Sequence, residues 1–268
     1  EGQAEVIAAR CIGCGNCVRV CSQNAKRVRT TLDEVTDLLT GEAPVAACLA
    51  PSFPAAFPRY DHRQLVGMVR MLGFDFVQEV AFGADLISNR YRTLLQEAGD
   101  KRFIGTNCPA IVSFVERYHP ELLDSLAPIV SPMIATARLL RRIHGDNLKV
   151  VFIGPCTAKK CEANEPGLNA EVDAAITFFE LRQLFRRKRI SPMSPVPSEF
   201  DPPRGSLGAL YGISRGFLQS AGLPEDLVTG DVIAADGRES FVQALKEFEA
   251  GAIEAKLLEV LACQGCIM

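Results

Sequence analysis

The sequence predicts an α/β protein with largely parallel strands, on three observations. Short apolar runs alternate with stretches of helical periodicity along most of the chain. Gly73, Gly99 and Gly145 punctuate that alternation where helices should stop. The chain has 268 residues, 48% of them hydrophobic and 23% charged, which suits one large domain or a large one with a small one.

The elements follow in order. Residues 1–30 form a cysteine-rich lead, and 25–28 are expected to leave it as a short strand. Residues 31–39 read as a helix with Thr31 as N-cap and Glu34 completing a capping box. Residues 45–49 are an apolar run closed by Ala50-Pro51. Over 62–72, Leu65, Val69 and Leu72 take helical spacing before Gly73. Residues 74–80 are strand-like, 84–98 helical, 102–105 a short strand and 111–118 helical. Ser131-Pro132 is an N-cap with proline at the first helical position, and that helix runs to His144. Residues 148–153 read as a buried strand. A second α/β stretch follows, with a strand at 174–177, a helix at 178–187 and a strand at 253–261. The proline-rich connection 191–204 has a length usually associated with function or mobility. In open α/β folds, sites gather at the carboxyl ends of the strands.

Several classes are excluded. A net charge of −3 gives no global attraction to nucleic acid or to membrane surfaces. Pro44, Pro51, Pro54 and Pro58 break the best candidate for a membrane span, and no export signal is visible, so a cytoplasmic protein is expected. The chain opens on Glu1 and stops at Met268 just after a C-x2-C, which reads as a piece of a longer protein. The basic cluster Arg186-Arg187-Lys188-Arg189 suits a helix end, with docking of an acidic partner as the alternative. His62, His119 and His144 have no ligand spacing and are read as surface or core residues.

Ten cysteines carry the chemistry. In a large apolar chain without an export signal they are more often ligands than disulfides. Cys11, Cys14, Cys17 and Cys21 have the C-x2-C-x2-C-x3-C spacing that bacterial ferredoxins use for 4Fe-4S clusters. Zinc is the rival metal for C-x2-C pairs, but four cysteines so closely packed favour the cubane. Cys21 has two readings. It serves a second cluster whose other ligands lie upstream, or all four cysteines close on one cube.

Cys108, Cys156 and the pair Cys263 and Cys266 each follow a strand, and Pro109 makes Cys108 a helix N-cap. Three loops at one sheet edge could bring these four thiolates to a second cubane. Cys48 reads as a core residue.

Thr106-Asn107-Cys108-Pro109-Ala110, Gly154-Pro155-Cys156-Thr157-Ala158-Lys159-Lys160-Cys161-Glu162 and Ala262-Cys263-Gln264-Gly265-Cys266 resemble the three signature loops of the di-iron (iron-only, FeFe) hydrogenases. The segments Leu49-Ala50-Pro51-Ser52, Phe82-Gly83-Ala84-Asp85-Leu86 and Ser131-Pro132 are similar to the same family between the loops. The resemblance implies a two-lobed iron-only-hydrogenase-like fold with parallel or mixed sheets flanked by helices. Its expected divisions are a ferredoxin-like segment at 1–30, a first lobe at 31–146 and a second at 147–268. It also implies a cubane held by Cys108, Cys156, Cys263 and Cys266, with Cys266 bridging to a di-iron unit that carries carbon monoxide and cyanide. By the same resemblance, Asn107, Ser131 and Lys159 would face that unit. Lys159 would hydrogen-bond a cyanide ligand, and Glu162 joins it as a catalytic candidate.

The chain departs from the family in five places. Catalytic members carry a proton-relaying cysteine where this chain has Asn107, whose amide has no proton to pass on at neutral pH. Gly154 replaces a methionine, Met133 replaces a glutamine, and the last loop is one residue shorter between its cysteines. Cys161 occupies a position the family usually fills with an apolar residue. It reads as a buried helix thiol, with a substitute relay as the alternative. These departures point to the family's sensory branch: a redox- or hydrogen-sensing module joined to a PAS, kinase or phosphatase domain or served by a redox partner protein. An electron-transfer protein with cubanes only and a slow hydrogenase are the alternatives.

Overall fold

The structure, a computed structural model, describes residues 5–168, 170–223 and 231–266. The expected chain ends at Glu1 and Met268 lie outside them. Two parallel sheets carry the fold. β1 (Val45–Leu49), β2 (Phe76–Glu79), β4 (Lys149–Gly154) and β5 (Ala174–Thr177) form the first, in the order β2-β1-β4-β5. β3 (Phe103–Ile104), β6 (Val232–Asp236) and β7 (Leu257–Leu261) form the second, in the order β3-β7-β6. Every pairing between these strands is parallel, so the expected α/β class holds without the mixed option.

The helices are α1 (Asn16–Arg19), α2 (Leu32–Thr40), α3 (Phe53–Ala56), α4 (His62–Met71), α5 (Val80–Glu97), α6 (Pro109–Tyr118), α7 (Pro132–His144), α8 (Ala158–Glu162), α9 (Phe178–Arg187), α10 (Gly216–Ala221) and α11 (Arg238–Glu249). All five residues of β1 are buried. Successive side chains point to opposite faces, so both faces of the first sheet are covered, as parallel sheets require. Leu65 and Val69 of α4, Ile134 and Leu140 of α7, and Leu181 and Leu184 of α9 join that core. In β7, Leu257 packs with Tyr91 and Phe217, while its neighbour Leu258 packs with Ile111, Leu245 and Phe248. The second sheet is therefore covered on both faces too.

Four expectations change. Residues 25–28 form no strand, and no neighbouring strand lies there to pair with them. Thr31 precedes α2, but its capping box does not form. Its hydroxyl donates instead to the Ala175 carbonyl, and Glu34 pairs with Arg29. The tertiary acceptor wins over the local one. The lobe boundary at 146/147 does not separate the sheets, because β4 pairs with β1 and β3 pairs with β7. Finally, β6 and α11 add a strand and a helix that the sequence reading leaves unassigned.

Arg186 and Arg187 lie in the last turn of α9, as the helix-end reading expects. Among the described residues, no helix is long and apolar enough to cross a membrane.

Candidate metal centre

Several of the parallel strands deliver their carboxyl ends to one region. β4 runs into Gly154-Pro155-Cys156, β3 into 105–108, and β7 into 262–266. Cys108 caps α6, with Pro109 in its first turn. The amide of Cys266 donates to the Gly212 carbonyl at 3.0 Å, which fixes the last loop against the turn 207–212.

Cys108, Cys156, Cys263 and Cys266 line a single cavity of about 400 Å³. The three loops thus converge, but from two sheets and not from the one sheet edge expected. Burial pushes the Cys156 thiol up, and the charges of Cys266 and Cys108 push it the same way. Cys266 is pushed up to about 12 by burial, then by Cys108 and Cys263. Cys263 is pushed up to about 11 by burial, then by Cys108 and Cys14. Burial thus favours the protonated form of Cys156, Cys263 and Cys266 when bare, and a bound metal would displace those protons.

The donor set fits a cluster better than a single ion. Tetrahedral zinc with Zn–S bonds of about 2.3 Å holds its sulfurs about 3.8 Å apart. Among the described residues, no three cysteine sulfurs lie within 4.8 Å of one another. Four thiols spread around one cavity suit a larger body such as a cubane.

Lys159 is buried, and its Nζ donates to Glu162 Oε2 at 2.7 Å. Its positive charge opposes the upward push on the Cys156 and Cys266 thiols. Glu162 takes only one of three ammonium protons. Both polar atoms of Asn107 and the hydroxyls of Ser131 and Ser52 are buried with no hydrogen-bond partner. Such groups cost about 1–3 kcal/mol each when unsatisfied. The Thr106 hydroxyl donates to the Ile129 carbonyl at 2.6 Å, which ties the Asn107 loop to the segment that reaches Ser131. The orphaned donors fit a bound group rich in acceptors. Ser52 follows β1 and was legible only as part of a family segment.

Gly154 has no room for a side chain. A Cβ there would stand 2.6 Å from the Phe152 ring and 2.9 Å from Ala50 Cβ. Met133 is buried in the first core and Cys48 lies wholly inside β1, where burial pushes its thiol to about 12.

The lead docks over this region. Cys14, Gly15, Asn16 and Arg19 complete the lining of the same cavity. Cys11, Cys14 and Cys17 are exposed, and the Cys21 sulfur accepts the Ala25 amide at 3.3 Å. Cys161 is exposed, which corrects its reading as a buried helix thiol. It stands on α8 with its sulfur beside Gly13 of the lead. Lys160, quoted in the second signature loop without a role, is a buried hub. Its Nζ donates to the Arg29 carbonyl, to Thr31 and to Glu180 Oε1 at 2.6 Å.

Of the three histidines, His62 and His119 pair with carboxylates, and His119 meets Glu249 at 2.8 Å and Glu121 at 3.2 Å. That group joins the C-terminal end of α6 to α11 and lies outside the cavity.

Comparison with known proteins agrees with this geometry. The family described as "Iron only hydrogenase large subunit, C-terminal domain" matches residues 43–268, and the "4Fe-4S binding domain" matches residues 4–27. The NADP-reducing hydrogenase subunit HndD of Solidesulfovibrio fructosivorans is 30% identical over 257 residues, covering 83% of this chain and 44% of that protein. Iron hydrogenase 1 of Clostridium pasteurianum is 29% identical over 220 residues, covering 72% and 38%. The cytosolic Fe-S cluster assembly factor NAR1 of Yarrowia lipolytica is 25% identical over 220 residues, covering 70% and 45%. The chain thus spans about two-fifths of the length of these curated relatives. A variant of the FeFe-hydrogenase HydA1 from Chlamydomonas reinhardtii shares the fold, with a TM-score of 0.73 at 20% identity over 89% of this chain and 83% of that one. With its cavity of four thiols beneath a ferredoxin-type lead, this protein belongs to the iron-only hydrogenase family, in the C-terminal domain of the large subunit.

Proposed function

We propose that this chain is a redox- or hydrogen-sensing module of that family, with little or no hydrogen turnover. Cys108, Cys156, Cys263 and Cys266 would hold a cubane, and the lead would carry electrons to or from it. A di-iron unit, when bound there, supplies the chemistry of making and splitting hydrogen. Cys266 would bridge to it, while Lys159, Asn107 and Ser131 would face its ligands.

The observation that carries the reading is Asn107. Its amide is buried beside Cys108 and offers hydrogen bonds, but it has no ionisable proton to relay. General acid–base groups contribute about 10²–10⁴-fold in rate, so their absence favours reporting a state over rapid turnover. The partner is a fused signalling domain or a redox protein, in the cytoplasm.

The packing at Gly154 favours a second reading, an electron-transfer protein with cubanes only. The Phe152 ring and Ala50 occupy the space that a side chain at Gly154, such as the family's methionine, would use.

Infrared spectroscopy of chain produced with the family's maturation proteins separates these readings. Bands from metal-bound carbon monoxide and cyanide, with hydrogen evolution near background, fit the sensor. The absence of such bands gives the electron carrier. Rapid evolution from a strong reductant defeats both and leaves the hydrogenase.

A further inference from the structure

His119 brings two carboxylates to one nitrogen. Its Nδ1 lies 2.8 Å from Glu249 Oε2 and 3.2 Å from Glu121 Oε1, and the ligand atoms of the three residues all fall within 4.8 Å of one another. They come from separate elements. His119 caps α6, Glu121 follows in the turn 120–125, and Glu249 ends α11. No ligand spacing marks His119 in the sequence, because Glu249 lies 130 residues away.

Fixed charges do not balance this group. Nδ1 carries at most one proton for the two carboxylates. Among the described residues, neither Glu121 nor Glu249 forms an ion pair with a Lys or Arg. The two carboxyl groups also meet each other: after Glu121's own backbone amide, a hydrogen bond with Glu249 holds the Glu121 carboxyl below its ordinary range. Two carboxylates in contact repel unless a proton or a cation stands between them. Glu249 closes its helix, where the dipole disfavours an anion. A cation among the three side chains relieves each of these costs. The geometry suits one. Zinc bonds of about 2.0–2.2 Å to nitrogen and oxygen set tetrahedral ligand atoms about 3.4 Å apart. Spacings of 2.8 and 3.2 Å need only a small opening of the side chains. The ring is held in place, since the His119 amide donates to the Val115 carbonyl at 2.9 Å and its carbonyl accepts the Leu122 amide at 2.9 Å. Its side chain is 13% exposed, while Glu121 and Glu249 are 47% and 34% exposed, which leaves a path in from solvent.

We propose that His119, Glu121 and Glu249 form a binding site for a divalent ion of the zinc or manganese type, with water completing its coordination. Imidazole suits zinc, and carboxylate and water suit manganese. On binding, Nδ1 gives its lone pair and each carboxylate an oxygen, any proton on Nδ1 leaves to solvent, and no electron is transferred. The ion would join α6, which follows Cys108, to α11, whose chain runs on through β7 to Cys263. It would thus brace two of the three loops that line the cavity, from outside that cavity. This inference is independent of the sensing reading, since none of its ligands lines the cluster cavity.

The test uses the full chain, loaded anaerobically with iron and sulfide and then freed of loose iron, so that its thiols are engaged. Mn2+ alone is the probe, because it takes carboxylate and imidazole in preference to thiolate. Electron paramagnetic resonance at room temperature counts free Mn2+ through a titration, and circular dichroism melts are run with and without the ion. The expected result is stoichiometric uptake by the parent and a higher melting temperature with Mn2+. Loss of an outer-sphere partner already weakens metal binding by about 10–100-fold, so Glu249→Gln and His119→Gln should weaken it at least as much. Both should also lose the shift in melting temperature. Glu254→Gln, at an exposed carboxylate outside the group, should bind as the parent does. Melts without metal check that each variant folds, and Glu121→Gln serves in place of any that does not. No stoichiometric uptake by the parent overturns the proposal. So does equal uptake by the Glu249 and His119 variants, which would mark an adventitious ion only.

Discussion

Asn107 concentrates the chemistry of this chain in one residue. Replacing it by cysteine restores an ionisable group one position before Cys108. Hydrogen evolution by matured Asn107→Cys should then rise by about 10²-fold or more, measured by gas chromatography with a strong reductant. Unchanged evolution means that the relay position is not what limits turnover. Gly154→Met is the opposite case, because a Cβ already meets the Phe152 ring and Ala50. It should destabilise the chain by about 1–3 kcal/mol through overpacking, read from urea unfolding. The four cysteines that line the cavity were legible in the sequence as candidates because each follows a strand in its own loop. The surroundings of Cys161 were not. Nothing in the residues 158–162 says which face of that short helix the lead will cover, so an exposed sulfur beside Gly13 could not be told from a buried one.

Among the elements, α8 and α9 depend most on charge. Glu180 closes a capping box with Thr177 at the start of α9 and accepts Lys160 Nζ at 2.6 Å. Burial alone would raise the Glu180 carboxyl, but the Lys160 hydrogen bond and those from Thr177 outweigh it and hold it below its ordinary range. A depressed carboxyl contributes stability above its unfolded value, and that contribution is lost as pH falls through the folded value. Thermal melts across the acid range should therefore show a falling limb that Glu180→Gln flattens. A limb of equal slope in the variant would locate the acid sensitivity elsewhere. Lys160→Met removes one partner of this buried pair and should cost about 3–5 kcal/mol, measured by urea unfolding. The strands β1, β4 and β5 were readable as apolar runs. The half-buried β6 was harder, since an edge strand need not be continuously apolar. α11 carries Phe241, Leu245 and Phe248 at helical spacing, a signal present in the sequence that the reading passed over. The Thr31 capping box failed because a distant carbonyl outcompeted Glu34, and long-range acceptors leave no trace in local sequence.

For the whole molecule, the two sheets share few strands that are close in sequence, and the candidate cluster bonds would join them. Cys156 leaves the first sheet, while Cys108, Cys263 and Cys266 leave the second. A ligand held only by the folded state stabilises it by mass action. Anaerobic removal of iron should lower the melting temperature and expose 105–108 and 262–266 to protease before other loops. Calorimetry and mass spectrometry of the first cuts check this, and equal melting with and without iron means that the thiols share no cluster. The α/β class was visible from sequence, but the division into lobes was not, because strand order depends on pairings across more than a hundred residues. That order also bears on how the protein is made. β7 lies at the centre of its sheet, so β3 leaves the ribosome roughly 10–30 s before β7, its neighbour among the described strands, is translated. Neither that pairing nor the cavity of four thiols can close during the wait, so iron must be delivered after β7 and the loop 262–266 have been made, and a nascent chain stalled before β7 would be a substrate for chaperones and not for metal insertion.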